Sequence, residues 1–258
     1  EEDIKFMKLI EEYPIDIVIP VFNEGASIIE VIKLLEFHVK TKFRILICYD
    51  FDEDNTLEAI NKISTACEIE FIKNKGAGPC DAVKSGFDAS NADCVIVFPG
   101  DDTFNQKIID EMYQKFLDGS EVVVASRFMD GGSMIGCPII KSILVRTASF
   151  TLYVLSSIPV RDASNGFRLF SRKVLNTINI QSTHGFTYSL EILVKCNRLK
   201  WQIDEVPAQW LERKEGKSNF KVFFWLKMYL RWYFYGLETT WLQKNITPLC
   251  LKQRMINE

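Results

Sequence analysis

Histidine is scarce in this 258-residue chain: His38 and His184 are the only two. A zinc centre of imidazoles and thiolates therefore has little to be built from. The seven cysteines, Cys48, Cys67, Cys80, Cys94, Cys137, Cys196 and Cys250, include no Cys-x-x-Cys pair. An odd number scattered through apolar stretches reads as free thiols packing as small hydrophobes in a reducing compartment. A cationic excess is missing too: 31 Lys and Arg stand against 34 Asp and Glu, a net charge of −3, so no nucleic-acid partner is implied. Long apolar runs are also lacking. Residues 139–160 are interrupted by Lys141 and Arg146, and 220–237 by Lys221, Lys227 and Arg231, so neither supplies the roughly 20 apolar residues of a membrane-crossing helix. The opening residues, Glu1-Glu-Asp-Ile-Lys5, carry no apolar core of a signal peptide, and the expectation is a cytoplasmic location. No repeat, low-complexity tract or linker is visible. No basic glycine-rich loop follows the first apolar run, which weighs against a nucleotidyltransferase.

What is present is an ordinary globular balance, 47% hydrophobic and 25% charged residues, arranged in a strict rhythm. Ile15-Asp-Ile-Val-Ile-Pro20 reads as a buried strand, and the turn Val21-Phe-Asn-Glu-Gly25 leads into a helical stripe of Ile28, Val31, Ile32, Leu35 and Val39, with Ser27 and Glu30 spaced as a capping box. Strand patterns recur at 43–48, 69–72, 94–98 and 121–125, each followed by a turn and, after all but the last, by a helical stripe; Asn105 is placed to cap the helix that follows the fourth. Such alternation predicts an α/β fold, a mostly parallel central sheet flanked by helices. After Arg127 the rhythm breaks: a glycine-bearing loop at 129–133, a helix over 141–156, a polar turn at 162–170, a short segment at 172–177, a helix through Phe186 and Leu193, and a strand over 201–210. A charged loop at 212–218 precedes an aromatic helix. The expected organisation is one domain over 1–218, with a C-terminal helical elaboration and tail over 219–258 packed on it.

Parallel sheets bind ligands at the carboxyl ends of their strands. Four loops bring polar residues to that rim: Asn23 and Glu24; Asp50, Asp52 and Asp54; Asn74, Lys75, Gly76 and Gly78; and Asp101 and Asp102. Asp101 and Asp102 follow an apolar run that stops at Pro99-Gly100. Read plainly, they cap a turn; read with their neighbours, they offer hard oxygen ligands to Mg²⁺ or Mn²⁺, which in turn holds a diphosphate that an acidic rim alone would repel.

These residues carry a resemblance. Val18-Ile-Pro-Val-Phe-Asn-Glu24, Tyr49-Asp-Phe-Asp-Glu-Asp-Asn-Thr56, the Asp101-Asp102 turn and Ser126-Arg-Phe-Met-Asp-Gly-Gly132 occur in the order seen in family 2 glycosyltransferases. Ser164-Asn-Gly-Phe-Arg-Leu-Phe170, Gly185-Phe-Thr-Tyr-Ser-Leu-Glu191 and Arg213-Lys-Glu-Gly-Lys-Ser218 look like the dolichyl-phosphate mannose synthase branch. The resemblance implies a GT-A fold, a nucleotide-diphosphate sugar donor, a divalent metal (Mg²⁺ or Mn²⁺), inversion at the anomeric carbon, and a place in cell-envelope or glycan biosynthesis. By position, Pro20, Phe22 and Glu24 would line the nucleotide, with Gly76 in the third rim loop; Asp50 would contact the base and Asp101 the metal, with Asp102 as substitute for a missing first acid. Arg127 would face the diphosphate or donor sugar, and Arg213, Lys217 and Ser218 would close over the diphosphate and acceptor phosphate. The chain departs from the family pattern at Tyr49 and Phe51, where an acid and a glycine are usual, and at Pro99-Gly100.

Two acceptors are compatible with these residues. A polyprenyl phosphate is already anionic and needs cations; a glycan or lipopolysaccharide hydroxyl needs a base, for which Asp162 is the candidate. A third reading, motivated by the departures, is a non-catalytic nucleotide-sugar-binding protein. Asp162 also qualifies as an ion-pair partner of Arg168, and Glu191 as a group that orients Arg168 or an acceptor, with a structural role favoured. In the C-terminal helix, Lys227 and Arg231 share a face among aromatic residues, which suits peripheral contact with a membrane, core packing or an oligomer interface.

Overall fold

The computed structural model describes residues 13–211, 222–241 and 251–252. Its main sheet has seven strands in the order β3-β2-β1-β4-β7-β5-β8. These are β1 (Ile15–Pro20), β2 (Phe43–Tyr49), β3 (Glu68–Lys73), β4 (Cys94–Val97), β5 (Val122–Ser126), β7 (Arg168–Ser171) and β8 (Ile203–Pro207). All run parallel except β7, which pairs antiparallel with β4 and β5. A two-stranded parallel sheet joins β6 (Ser133–Ile135) to β9 (Gln209–Leu211). The helices are α1 (Ser27–His38), α2 (Asn55–Asn61), α3 (Pro79–Ala89), α4 (Ile109–Leu117), α5 (Ile139–Leu155), α6 (Arg172–Thr177), α7 (Thr187–Arg198) and α8 (Val222–Trp241).

Strands buried on both faces need apolar residues at successive positions, which is why β4 reads as an unbroken run and β1 is interrupted only by Asp16, a buried carboxylate paired with Arg44 at 2.9 Å. Their pleat splits them between two cores. Ile15, Ile17, Ile19, Cys94, Ile96 and Phe98 face the layer holding α1 and α4. Val18, Val95 and Val97 face the layer holding α3, α7 and α8. Gly86 lets α3 sit directly on the sheet, since a Cβ there would lie 2.7 Å from Val18 Cγ1 and 2.9 Å from Cys48 Sγ. Gly236 does the same for α8, whose backbone passes close to Val194 of α7 and Leu152 of α5.

Several expectations are corrected. The polar turn expected over 162–170 ends in β7, a fully buried strand inserted between β4 and β5. The single strand expected over 201–210 is two, divided at Ala208, so that Gln209–Leu211 leaves the main sheet to pair with β6. The capping box at α1 is not made: Ala26 is the cap residue, without a side-chain bond, and the Ser27 hydroxyl donates back to the Glu24 carbonyl at 2.6 Å. Asn105 makes no side-chain cap bond to the turn it opens. The boundary expected at 218/219 lies outside the described residues. On the described part of α8, Trp232 is buried, its indole N–H donates to Ser182 Oγ at 2.9 Å, and the Tyr233 hydroxyl donates to Thr151 Oγ1 at 2.9 Å.

Candidate active site

The loops after β1 and β2 are stitched to each other by backbone-to-side-chain bonds, and the loop after β4 packs beside the first. Asn23 adopts a positive φ of 55°, and its N–H donates to Asp54 Oδ2 at 3.0 Å, while Glu24 N–H donates to Thr56 Oγ1 at 3.0 Å. Asp54 also caps α2 through Thr56 N–H, so one carboxylate fixes both loops. Gly100 sits against Ile19 and Glu24, which brings the fourth loop beside the first. Pro20 ends β1, and Phe22, 63% exposed, meets Phe51 edge to face with ring centroids 5.6 Å apart. That apolar pair stands where sequence reading had only noted Phe51 as a departure.

Asp50 is a clasp. Its Oδ1 accepts from Asn74 Nδ2 at 2.6 Å and its Oδ2 from Gly78 N–H at 2.9 Å. Asn74 in turn accepts from Gly76 N–H at 2.9 Å, so Asp50 shapes the whole Asn74–Gly78 loop. Asp52 is drawn outward to Lys73 at 2.5 Å.

Asp101 and Asp102 part company. Asp101 is exposed at the strand end. The Asp102 carboxylate turns inward and accepts from Phe104 N–H at 2.9 Å, Asn105 N–H at 3.0 Å and Asn105 Nδ2 at 2.6 Å. Burial raises its pKa against the opposing pull of those donors. Asn105 then bridges to β9, donating to Gln209 O at 2.7 Å and accepting from Gln209 N–H at 2.8 Å. Among the described residues no group of three His, Cys, Asp or Glu side chains is placed to hold a metal. The oxygens present fit a hard cation bound through one or two carboxylates and completed by a ligand's phosphates, as Mg²⁺ characteristically is.

The densest polar cluster lies beyond β5. Arg127 makes a two-point pair with Asp162, Nε to Oδ2 at 2.7 Å and Nη2 to Oδ1 at 2.9 Å, and Nη2 also donates to Ser164 Oγ at 2.6 Å. Asp162 further accepts from Arg127 N–H at 3.0 Å, from Ser164 N–H and Oγ, and from Asn165 N–H. Burial alone would push the Asp162 carboxyl up, but the Arg127 charge and these donors hold it below the usual carboxylate range. With both oxygens so engaged, Asp162 holds Arg127 in place and presents no lone pair for base catalysis. The partner expected for it, Arg168, donates instead to the Ser189 and Ala163 carbonyls. Full burial lowers the Arg168 pKa to about 10, and its Nε, like the Tyr188 hydroxyl, finds no partner among the described residues. Glu191 does not support Arg168 either: it pairs with Lys195 at 2.5 Å and accepts from Gln181 and Ser182 N–H at 2.7 Å. Arg213, Lys217 and Ser218 lie outside the described residues.

Ser164 and Asn165 were missed as partners of Asp162, although Asp followed two and three residues later by Ser and Asn is the spacing of a local side-chain-to-backbone turn. Gly132 was also passed over. A Cβ there would lie 2.5 Å from the Ser126 carbonyl oxygen and 2.8 Å from the Arg127 carbonyl carbon, so only glycine lets the loop fold back onto Arg127.

The fold is shared with solved structures of glucosyl-3-phosphoglycerate synthase from Mycobacterium tuberculosis. One, in complex with Mn²⁺, UDP-glucose and phosphoglyceric acid, superposes with a TM-score of 0.63 at 15% identity, covering 91% of this chain and 82% of that one. This identifies the GT-A architecture. Among curated proteins, the dolichol-phosphate mannosyltransferase of Pyrococcus furiosus is 23% identical over 213 residues, 80% of this chain and 59% of that protein. The putative glycosyltransferase CsbB of Bacillus subtilis is 26% identical over 175 residues, 64% of this chain and 50% of that protein. The polyprenol monophosphomannose synthase of Mycolicibacterium smegmatis is 20% identical over 211 residues, 79% of each. The chain thus spans only half to three fifths of the length of the first two. The profile of Glycosyl transferase family 2 matches residues 16–178, a span that takes in the strand ends from Pro20 to Asp102 and the Arg127–Asp162 pair, and the chain belongs to that family.

Proposed function

We propose that this chain is an inverting glycosyltransferase that moves a hexose from a nucleotide-diphosphate sugar to a polyprenyl phosphate at a membrane surface. The observation that carries the choice of acceptor is the engagement of Asp162. An attacking hydroxyl needs a base, and the carboxylate best placed beside Arg127 is spent on holding that arginine. An acceptor phosphate brings its own anionic oxygen and asks only for cations. Two of the curated relatives carry names that fit such an acceptor.

In this reading the Phe22–Phe51 pair and the Asp50-held loop receive the nucleotide, with Pro20, Glu24 and Gly76 around it. Asp101, with Asp102 behind it, holds Mg²⁺ or Mn²⁺. Such a cation, when bound, neutralises the diphosphate and assists its departure. Arg127, oriented by Asp162 and Ser164, adds a fixed positive charge that needs no reorganisation as the leaving group develops its own. Arg213, Lys217 and Ser218 supply the remaining contacts to the two phosphates. A hydroxyl acceptor is the second reading, favoured by the phosphoglyceric acid named in the structural relative.

The test incubates the protein with labelled GDP-, UDP- and dTDP-hexoses, either metal, and extracted polyprenyl phosphate in the absence of glycan. Label entering the lipid fraction is the expected result. Transfer only to an added sugar or glycerate hydroxyl replaces the reading with the second. Donor binding without transfer or hydrolysis leaves a non-catalytic nucleotide-sugar-binding protein.

A further inference from the structure

Arg168 carries a charge that its own bonds do not answer. The side chain is fully buried, yet Nη1 donates to the Ser189 carbonyl and Nη2 to the Ala163 carbonyl, the latter at 2.7 Å, and both acceptors are neutral. Its Nε finds no partner among the described residues, and no carboxylate there bonds it. Two carbonyls need two N–H donors, which a neutral amide supplies without the penalty of burying an ion. Tying the 162–165 turn to α7 therefore does not account for a guanidinium at this position.

The sheet register places this charge beneath the rim. β7 runs against its neighbours, so its first residue lies where theirs end, and Arg168 pairs with Val97 of β4 and Val124 of β5. From Val97 the chain continues into the loop of Asp101, and from Val124 it continues to Arg127. Arg168 thus stands between the strand that delivers the proposed metal ligand and the strand that delivers the proposed diphosphate cation. Asp162 is the carboxylate whose field reaches it, and both Asp162 oxygens are engaged by Arg127. Two arginines share one aspartate, and the cluster keeps one positive charge in surroundings that screen it poorly.

We infer that Arg168 is a second, buried cation of the donor site, acting through space on a bound diphosphate that it does not touch. The identity of the anion rests on the donor reading above; the inference holds for either acceptor. A bound anion offsets the burial of the excess charge, so ligand affinity and fold stability are linked through this one residue. The rise from Val124 to Arg127 sets the separation at roughly 10 Å. At that distance and an effective dielectric of about 20, one unit charge changes the affinity for each ligand charge about tenfold.

Calorimetric titration of the full chain with pyrophosphate and Mn²⁺ at pH 6.5, with thermal melts alongside, tests the inference. R168Q keeps an amide for the two carbonyls and removes the charge; R168K keeps the charge and loses the fork. R168Q is expected to melt at or above the parent without ligand, since a buried unpaired ion is gone, and to bind about tenfold more weakly. R168K is expected to bind within about threefold of the parent. R168M is a second charge-free variant, carrying the same expectation should R168Q not fold. Binding by the charge-free variant within about threefold of the parent overturns the inference, as does a parent that binds no pyrophosphate. So does an equal loss in R168K, which would assign the effect to the grip on Ala163 and not to the charge. Label transfer by the parent is measured in parallel. Transfer with unchanged binding in R168Q sinks this inference alone; charge-dependent binding without transfer to either acceptor sinks the functional reading and supports the buried cation.

Discussion

Arg127 and Asp162 come from segments 35 residues apart and meet in a two-point ion pair beneath the loop after β5, with Asp162 fully buried. Removing one partner of such a pair leaves the other charge buried and uncompensated, which costs roughly 3–5 kcal/mol. D162N keeps the shape and loses the charge. It is expected to lower the free energy of unfolding by an amount in that range and to cut turnover about 100-fold or more, because Arg127 loses its orientation. Equilibrium denaturation and steady-state kinetics check both. R127K, which keeps the charge but not the fork, should lose a comparable share of activity.

The same pair makes a pH prediction. The Asp162 carboxyl is held below its usual range in the folded state. The folded protein therefore binds fewer protons at this group than the unfolded chain, whose value is about 3.9. Its contribution to stability is complete above that value and is lost as pH falls through the lower folded one. Between about pH 5 and 2, stability of the parent should fall more steeply than that of D162N. Parallel acid-unfolding curves would show the charge to be inert.

Asp101 and Asp102 should separate by assay. D101N changes an exposed side chain at the site, so metal-dependent donor hydrolysis should drop about 100-fold while the melting temperature holds. D102N disturbs the donors from Phe104 and Asn105 and, through Asn105, the contact to Gln209, so about 1–3 kcal/mol of stability should be lost as well. Equal stability loss in both variants would mean Asp101 is structural.

Much of this arrangement is readable from residues alone, for a physical reason: β1, β2, β4 and β5 are largely buried and mostly apolar, and the edge strand β3 alternates charged with apolar residues, so these strands announce themselves and their loops fall at one rim. β7 does not. It has four residues, starts with an arginine, and is buried by elements distant in sequence, with β4 and β5 beside it and Phe87 of α3 against Phe170. Arg168 was the partner expected for Asp162; the fold gives it Arg127, from a segment 35 residues away. Glu191 and Lys195 stand four apart on α7, a pairing legible from helical geometry yet not drawn from it. The strand pattern put Asp50 on the rim, and its bonds to Asn74 and Gly78 add a loop-shaping job that spacing in the sequence does not show.

That job supplies a further prediction. Asp50 holds Asn74 and Gly78 from one side chain, and Gly78 has a φ of 79° that few other residues tolerate. D50N replaces a charged acceptor by an amide with one acceptor oxygen, so one of the two bonds fails and the 74–78 loop loosens. Amide exchange in that loop should accelerate, and the donor KM should rise roughly tenfold with kcat nearly unchanged, the mark of binding lost equally from ground and transition states. Were kcat to fall instead while exchange stayed slow, Asp50 would be touching the substrate and not shaping the loop that receives it.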